Sequence, residues 1–222
     1  KLLLILLCLP MIGFGQQQTY VPDSIFENYL ETHTSNGILC WVGYPGSMGN
    51  GIGNDSNVFT SAISLVTLLD FSWDNISDLT GVEDFISLTH LYCDGNNLTS
   101  LDVSQNTALT YLYCGYNQLT SLDVSTNTAL TELDCGDNQL TSLDVSGATA
   151  LIHLNCENNQ LTSLDVSANT ALNSLFGWNN QLTNLDVSGA IVLGQLSCQS
   201  NQLTSLDVST NTVLSELDCS DN

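Results

Sequence analysis

The chain has 222 residues, of which 23 are aspartate or glutamate and only Lys1 is lysine or arginine, so its formal net charge at pH 7 is −22. A chain with almost no cationic side chains cannot neutralise nucleic-acid phosphates, and it offers no polybasic patch to an anionic membrane. Hydrophobic residues make up 43% of the sequence, which is enough for a buried core and more than a disordered acidic segment contains.

Residues 1–15 have the pattern of a secretory signal peptide. Lys1 precedes an apolar run, and Gly13 and Gly15 form a small-x-small cleavage site. The run is shorter than the roughly 20 residues needed to span a bilayer. We therefore predict cleavage after Gly15, export to the cell surface or medium, and no membrane insertion of the mature chain.

Residues 16–63 differ from the rest of the chain and predict an N-terminal cap. Ser24 and Glu27 have the spacing of a capping box. We expect the short helix that follows them to close the open end of a repeat array, because terminal repeats need a cap. The glycine-rich segment 43–55 predicts a surface loop, since no lysine follows its glycines as a phosphate-binding loop requires. The apolar face of the helix is predicted to consist of Ile25, Phe26, Tyr29 and Leu30.

A 21-residue repeat fills residues 64–222. A cysteine and an asparagine recur at the same interval, with Gly177 in one of the cysteine places. A degenerate unit around Leu69 is one residue longer, and counting it gives about eight units, the last one truncated. The tetrapeptide Leu-Asp-Val-Ser begins at Leu101, Leu122, Leu143, Leu164, Leu185 and Leu206.

The unit that begins at Leu109 contains Leu-x-x-Leu-x-Cys-x-x-Asn-x-Leu, which resembles the signature of leucine-rich repeats. The opening Tyr-Val-Pro-Asp at Tyr20 and the segment 75–85 are also similar to secreted leucine-rich repeat proteins common in Bacteroidetes. The resemblance covers nearly all of the chain after Gly15. It implies a leucine-rich repeat solenoid with a concave face of parallel β-strands, an irregular or short-strand convex side and a small N-terminal helical cap.

Alternation along each short strand predicts which side chains are buried. Leu112 and Cys114 should point inward, and Tyr111 and Tyr113 outward. Coils stacked about 4.8 Å apart bury the inward leucines against one another, and each contributes roughly 1.5–3 kcal/mol. The recurring asparagine also points inward, so its amide should bond to backbone groups of its own and the adjacent coil.

The cysteines lie at an inward position where other leucine-rich repeats carry leucine. We therefore predict buried free thiols that pack as small apolar side chains. A disulfide framework is the alternative in an exported protein. The 21-residue spacing lacks the close ligand pairs of a zinc site. Cys40 has no assigned role.

The aspartate of Leu-Asp-Val-Ser forms a row on the side opposite the strands. Carboxylates about 5 Å apart repel by roughly 0.8 kcal/mol in water. Two explanations stay open: local hydrogen bonds in Asx turns, and calcium ions that bridge neighbouring carboxylates. We favour the first, because one carboxylate per coil supplies few of the roughly 6–8 oxygens that calcium binds. The row comprises Asp102, Asp123, Asp144, Asp165, Asp186 and Asp207.

The outward positions of the strands change from coil to coil and are the candidate ligand-binding site. Exposed aromatic side chains provide contact area at low entropic cost. The alternative is that these rings only pack on one another across neighbouring strands. The candidate residues are Trp73, His90, Tyr92, Tyr111, Tyr113, Tyr116, Glu132, Asp134, Phe176 and Trp178.

The sequence shows no catalytic motif. His90 and His153 are three units apart, which corresponds to roughly 14 Å. We also expect an open, solvated sheet to provide no pocket that shifts the pKa of Glu132 or Asp134. The predicted role is therefore a non-enzymatic binding or adhesion module without a cofactor, whose partner is an extracellular protein or glycan. The alternatives are a structural stalk or spacer and, ranked last, an ice- or mineral-binding surface of Thr-Ser rows, which Asn184 interrupts.

Overall fold

The computed structural model describes residues 16–222, and the predicted signal peptide lies outside them. Eight short parallel strands, one per coil, form a single sheet along one side of the molecule. The predicted leucine-rich repeat solenoid is confirmed by this architecture. We call the outward side of this sheet the strand face. Its strands are β3 (Leu68–Asp70), β4 (His90–Tyr92), β5 (Tyr111–Tyr113), β6 (Glu132–Asp134), β7 (His153–Asn155), β9 (Ser174–Phe176), β11 (Gln195–Ser197) and β12 (Glu216–Asp218).

The register of the sheet builds the core. Leu91, Leu112 and Leu133 are direct neighbours on successive strands, and the same position is leucine in every later strand. The cysteines line the interior as free thiols, as predicted, except that Cys219 in the last coil is exposed. Burial raises the pKa of these thiols, so they stay protonated. The buried cysteines are Cys93, Cys114, Cys135, Cys156 and Cys198.

The recurring asparagine joins adjacent coils through its side-chain amide. In Asn117, Nδ2 donates to the carbonyl of Cys93 in the preceding coil at 3.0 Å and to that of Cys114 at 3.1 Å. Its Oδ1 accepts from the backbone N–H of Leu98 at 3.0 Å. The predicted satisfaction of this buried amide by two coils is confirmed. The row consists of Asn96, Asn117, Asn138, Asn159, Asn180, Asn201 and Asn222.

The side opposite the strand face, here called the aspartate side, has little regular structure. One pair of parallel strands, β8 (Ser163–Asp165) and β10 (Asn184–Asp186), and a bridge between Asp123 and Asp144 lie there. Each aspartate of the row accepts a hydrogen bond from the backbone N–H two residues later, as in the 2.9 Å bond from Ser125 to Asp123. The predicted Asx turns are therefore present. The equivalent bonds occur at Asp102, Asp144, Asp165, Asp186 and Asp207.

The N-terminal part contains the antiparallel strands β1 (Gln18–Tyr20) and β2 (Asn57–Phe59) and the helices α1 (Ser24–Thr32) and α2 (Thr60–Ile63). Phe26 of α1 packs against Phe71 in the first coil, with ring centroids 5.4 Å apart. The helix thus lies over the end of the solenoid core. No helix among residues 16–222 has the length and apolar character needed to cross a bilayer.

Three details of the helix prediction are wrong. The N-cap is Asp23, whose side chain accepts from the backbone N–H groups of Ile25 and Phe26, so Ser24 is already the first helical residue. Glu27 does not close a capping box, because its buried carboxylate accepts hydrogen bonds from the backbone N–H groups of Asp55 and Ser56 instead. Ile25 lies 42% exposed and outside the apolar face.

Candidate functional site on the strand face

Strand alternation presents two outward positions per coil, one on each side of the inward leucine. The position before the leucine is His90 in β4 and Tyr111 in β5, and these rings stack with centroids 4.5 Å apart. The position after it is Tyr92 in β4 and Tyr113 in β5, which meet edge to face at 5.1 Å. The rings therefore do pack across strands, and all four remain partly exposed. These four rings therefore pack on one another and still expose part of their surface to a ligand.

A second aromatic pair lies just beyond the carboxyl ends of the strands. Trp73 and Tyr116 are 65% and 56% exposed, and their ring centroids lie 5.6 Å apart. Gly95 lies beneath this pair: a Cβ placed there would lie 2.2 Å from the Trp73 ring. Both aromatic residues have left-handed backbone, with φ of 66° and 51°. Bulky side chains rarely adopt this conformation, and such strain concentrates at functional sites.

This left-handed position recurs in every coil, although the repeat motif does not predict it. It lies two residues after the cysteine place and directly before the asparagine place of each repeat, and Phe71 and Asp74 fill these two places in the first coil. The amino-acid composition of this position could have predicted its conformation, because it is rich in glycine, asparagine and aspartate, which tolerate left-handed backbone. The position is occupied by Trp73, Gly95, Tyr116, Asp137, Asn158, Asn179, Ser200 and Asp221.

Next to the aromatic pairs, carboxylates crowd around a glycine. The Oδ1 atoms of Asp94 and Asp134 each lie 3.2 Å from the place where a Cβ of Gly115 would lie. Burial, together with the charges of Asp134 and Asp70, raises the pKa of Asp94 to about 6, although Gly115 donates its backbone N–H to that carboxylate at 2.9 Å. Burial also raises the pKa of Asp134. The expectation that the open sheet shifts no pKa is wrong, because neighbouring coils bury these carboxylates laterally.

A cavity of about 290 Å³ opens on the same face between two aromatic side chains. Tyr113 bounds it at one end and Phe176 at the other. Its polar lining is formed by Glu132, Asp134, His153 and Asn155. Four candidate residues, Tyr113, Glu132, Asp134 and Phe176, are thus brought together in one cavity.

Trp178 lies outside this cavity. Its indole lies beside Glu157, whose pKa is raised by burial in spite of the opposing effect of the indole N–H. Asp94, His153 and Asn155 were not among the predicted site residues, although they occupy outward positions of the same coils. The structure finds them because it shows which outward side chains face one another across strands.

A larger crevice, of about 700 Å³, lies in the N-terminal part between the glycine-rich loop and α2. Glycines and small polar side chains line most of it, and Tyr44 is its single titratable residue. Within residues 16–222, no three His, Cys, Asp or Glu side chains converge in a way that could hold a metal ion. The strand face, with its aromatic and acidic groups, is therefore the stronger candidate site.

Comparisons with known proteins give the same fold. The family model described as "Leucine Rich repeats (2 copies)" matches residues 107–147. A segment of 45 residues is 47% identical to internalin J of Listeria monocytogenes serotype 4b, which is 20% of this chain and 5% of that protein. The chain therefore carries leucine-rich repeats and has an internalin-like homologue.

Solved structures extend the similarity to most of the chain. The functional domain of InlJ from Listeria monocytogenes, which includes a cysteine ladder, is 35% identical with a TM-score of 0.68, over 93% of this chain and 48% of that chain. A leucine-rich repeat protein of Leptospira interrogans is 27% identical with a TM-score of 0.60, over 64% of this chain and 40% of that one. The present chain thus spans about half the length of the InlJ domain.

Proposed function

We propose that this leucine-rich repeat chain is an exported, non-enzymatic binding module whose strand face recognises an extracellular protein or glycan. The observation that carries the proposal is the run of partly exposed aromatic side chains, from Trp73 to Tyr116, across the first coils of that face. Stacked repeats generally form extended concave surfaces that are used for binding. Aromatic groups on such a surface supply contact area without a large entropic cost.

Export is the second part of the proposal. It is supported by the basic start and apolar run within residues 1–15 and by the similarity to internalins, which are surface or secreted proteins. The resemblance to secreted Bacteroidetes proteins has the same implication. Changing Leu4 and Leu6 to aspartate interrupts the apolar run. Immunoblots of cell and medium fractions should then show the variant retained inside the cell, and equal export of both forms would contradict this part.

The binding role is tested by changing three tyrosines. Wild-type protein and the Tyr111→Ala/Tyr113→Ala/Tyr116→Ala variant are compared in pull-downs from extracellular fractions and on glycan arrays. The matched control changes three exposed aromatic residues of the N-terminal part, Tyr20, Trp41 and Tyr44, to alanine. We expect the strand-face variant to lose the wild-type partner and the control to keep it. Thermal melting checks that both variants fold.

The competing role is a stalk or spacer that carries another domain. It is favoured by the uniform stacking of the coils, which repeats the same hydrogen bonds along the solenoid. If the wild type captures no partner, or if the tyrosine variant binds as well as the wild type does, the binding proposal fails and the spacer role stands.

A further inference from the structure

The cavity on the strand face has the shape of a notch in one row of side chains. The outward position that follows the inward leucine is aromatic in β5 and β9, as Tyr113 and Phe176, and short and polar in the two strands between them, as Asp134 and Asn155. Three coil spacings separate the two rings, which is roughly 14 Å. The notch therefore has two apolar end walls and a polar floor, and its volume is about 290 Å³.

Two carboxylates face the notch without a cationic partner. Glu132 accepts a hydrogen bond from the hydroxyl of Tyr113 at 2.5 Å, and Asp134 accepts from the backbone N–H of Gly136 at 3.0 Å and from Asn155 at 3.3 Å. These bonds orient the carboxylates and leave acceptor sites free, because an ionised carboxylate has about four. Residues 16–222 contain no lysine or arginine, so no side chain of that part can form a salt bridge with these carboxylates other than a protonated histidine, such as His153, which also lines the cavity.

We propose that this notch binds a lysine or arginine side chain projecting from a protein partner. The inference rests on the proposed binding role of the strand face and specifies the chemistry of the partner. The aliphatic stem of the incoming residue packs against the ring of Phe176, and its charged end bonds to Glu132 and Asp134 beside the ring of Tyr113. Aromatic faces attract cations as well, so walls and floor favour the same ligand group.

The charge of the chain favours a protein over a glycan as the ligand. Neutral sugars provide no positive group for the two carboxylates, and sulfated or carboxylated sugars are repelled by a net charge of −22. The aspartate side carries carboxylates too, but no aromatic side chain accompanies them in that row. Recognition by the notch is therefore distinguishable from attraction by the overall charge.

The test uses three labelled peptides of equal length, in which the same positions are lysine, arginine or acetyl-lysine. Binding to the protein is measured by fluorescence anisotropy at about 0.15 M salt, where charges farther apart than about 8 Å are largely screened. The notch variant is Glu132→Gln/Asp134→Asn. The matched control is Asp123→Asn/Asp144→Asn, which changes the net charge equally on the aspartate side. Phe176→Ala removes one wall without changing the charge.

We expect the lysine and arginine peptides to bind and the acetyl-lysine peptide to bind at least about tenfold more weakly, because a charged contact is lost. The notch variant should lose about tenfold in affinity for the cationic peptides, the control should stay within about twofold, and Phe176→Ala should lose a few-fold. Melting curves identify any variant that has lost its fold.

Several results would overturn the inference. These are the absence of cationic-peptide binding, equal binding of the acetyl-lysine peptide, and equal losses in the notch and control variants. A glycan ligand that requires the three tyrosines would also overturn it while leaving the binding role intact. If instead the tyrosine variant keeps every partner, the binding role itself fails, so the two failures are distinguishable.

Discussion

The two faces of the solenoid stabilise their carboxylates in different ways. On the aspartate side, each coil repeats Leu-Asp-Val-Ser, and each aspartate accepts a hydrogen bond within its own turn. On the strand face, Asp94 accepts from Gly115 in the next coil and lies near Asp134 in the one after. The carboxylates of the aspartate side are therefore stabilised within their own repeat, whereas the environment of those on the strand face depends on which coils are adjacent. Variation between coils changes the second face without changing the first.

The pKa directions show the same contrast. On the aspartate side, the hydroxyl and the backbone N–H of Ser146 hold the pKa of Asp144 below its usual value. On the strand face, burial raises the pKa of Asp94 to about 6 and also raises that of Asp134. The ionised carboxylate is thus stabilised at Asp144 and destabilised at Asp94 and Asp134, which accords with the proposed binding role of the strand face.

The largest expected effect compares two rows of buried asparagines. Asn138, which follows a strand of the strand face, donates to the carbonyls of Cys114, Cys135 and Gly136, and its Oδ1 accepts from the backbone N–H of Leu119 in the preceding coil. Asn138→Ala should lower the free energy of unfolding by about 3 kcal/mol, because it leaves several buried backbone groups unsatisfied. Urea unfolding followed by circular dichroism measures the loss.

The control is Asn127→Ala in a second row of buried asparagines, which follow the Leu-Asp-Val-Ser segments at Asn106, Asn127, Asn169 and Asn211. Asn127 donates to two carbonyls of the preceding coil, and its Oδ1 has no partner among the described residues. Alanine already occupies this place at Ala148 and Ala190. We expect a loss of about 1 kcal/mol or less. Equal losses in the two variants would show that both rows hold adjacent coils equally strongly.

The second prediction removes one charge from each face. Because the folded pKa of Asp94 is raised, its contribution to stability is fully present below the unfolded pKa, near 3.8, and is lost as pH rises through about 6. Asp94→Asn should therefore stabilise the protein above pH 6 by about 1 kcal/mol, a value reduced for partial exposure. The gain should vanish as pH falls toward 4, which thermal melting across this pH range would show.

Asp144→Asn is the matched change on the aspartate side. The pKa of Asp144 is lowered in the folded chain, so its contribution is present above the unfolded pKa and is lost as pH falls through the folded pKa. This variant should be less stable than the wild type at pH 7 and equally stable in acid. If both variants shift stability in the same direction at pH 7, net charge and not local environment controls these carboxylates.

The third prediction locates backbone strain within the strand face. At Tyr116, where φ is 51°, the glycine variant should be more stable than the alanine variant by about 1 kcal/mol, since only glycine adopts left-handed backbone without cost. At Tyr113, in the extended strand β5, the order should reverse by about 0.5–1 kcal/mol. Comparing glycine with alanine at each site cancels the loss of the ring. The same order at both sites would contradict strain at Tyr116.

The sequence predicts well what depends on a single repeat. Alternation places Leu112 and Cys114 inside, and the inward Asn117 needs the backbone partners that it has. The helix boundary fails because distant groups compete for the same side chains. Asp23 caps the helix with one carboxylate oxygen and binds Ser77 with the other, while Glu27 binds a loop 28 residues away. Local spacing carries no information about such partners.

The sequence predicts which residue types form the candidate site but not how their side chains are arranged. Outward tyrosines follow from the strand period, but the raised pKa of Asp94 depends on Gly115 in the next coil and Asp134 in the one after. The notch likewise requires that short side chains at Asp134 and Asn155 lie between two aromatic ones. A repeat pattern shows which positions face outward, and the register of the sheet shows which of them act together.

The smallest effect concerns the repulsion that remains on the aspartate side. Because the net charge is −22, added NaCl should raise the melting temperature by screening. The Asx turns already stabilise each carboxylate, so CaCl₂ at equal ionic strength should give the same melting temperature as NaCl. A melting temperature that is flat with NaCl would show that the repulsion is negligible. An additional rise with calcium that disappears in Asp123→Asn/Asp144→Asn would show instead that calcium bridges neighbouring coils, and the two faces would then differ in cation binding as well as in hydrogen bonding.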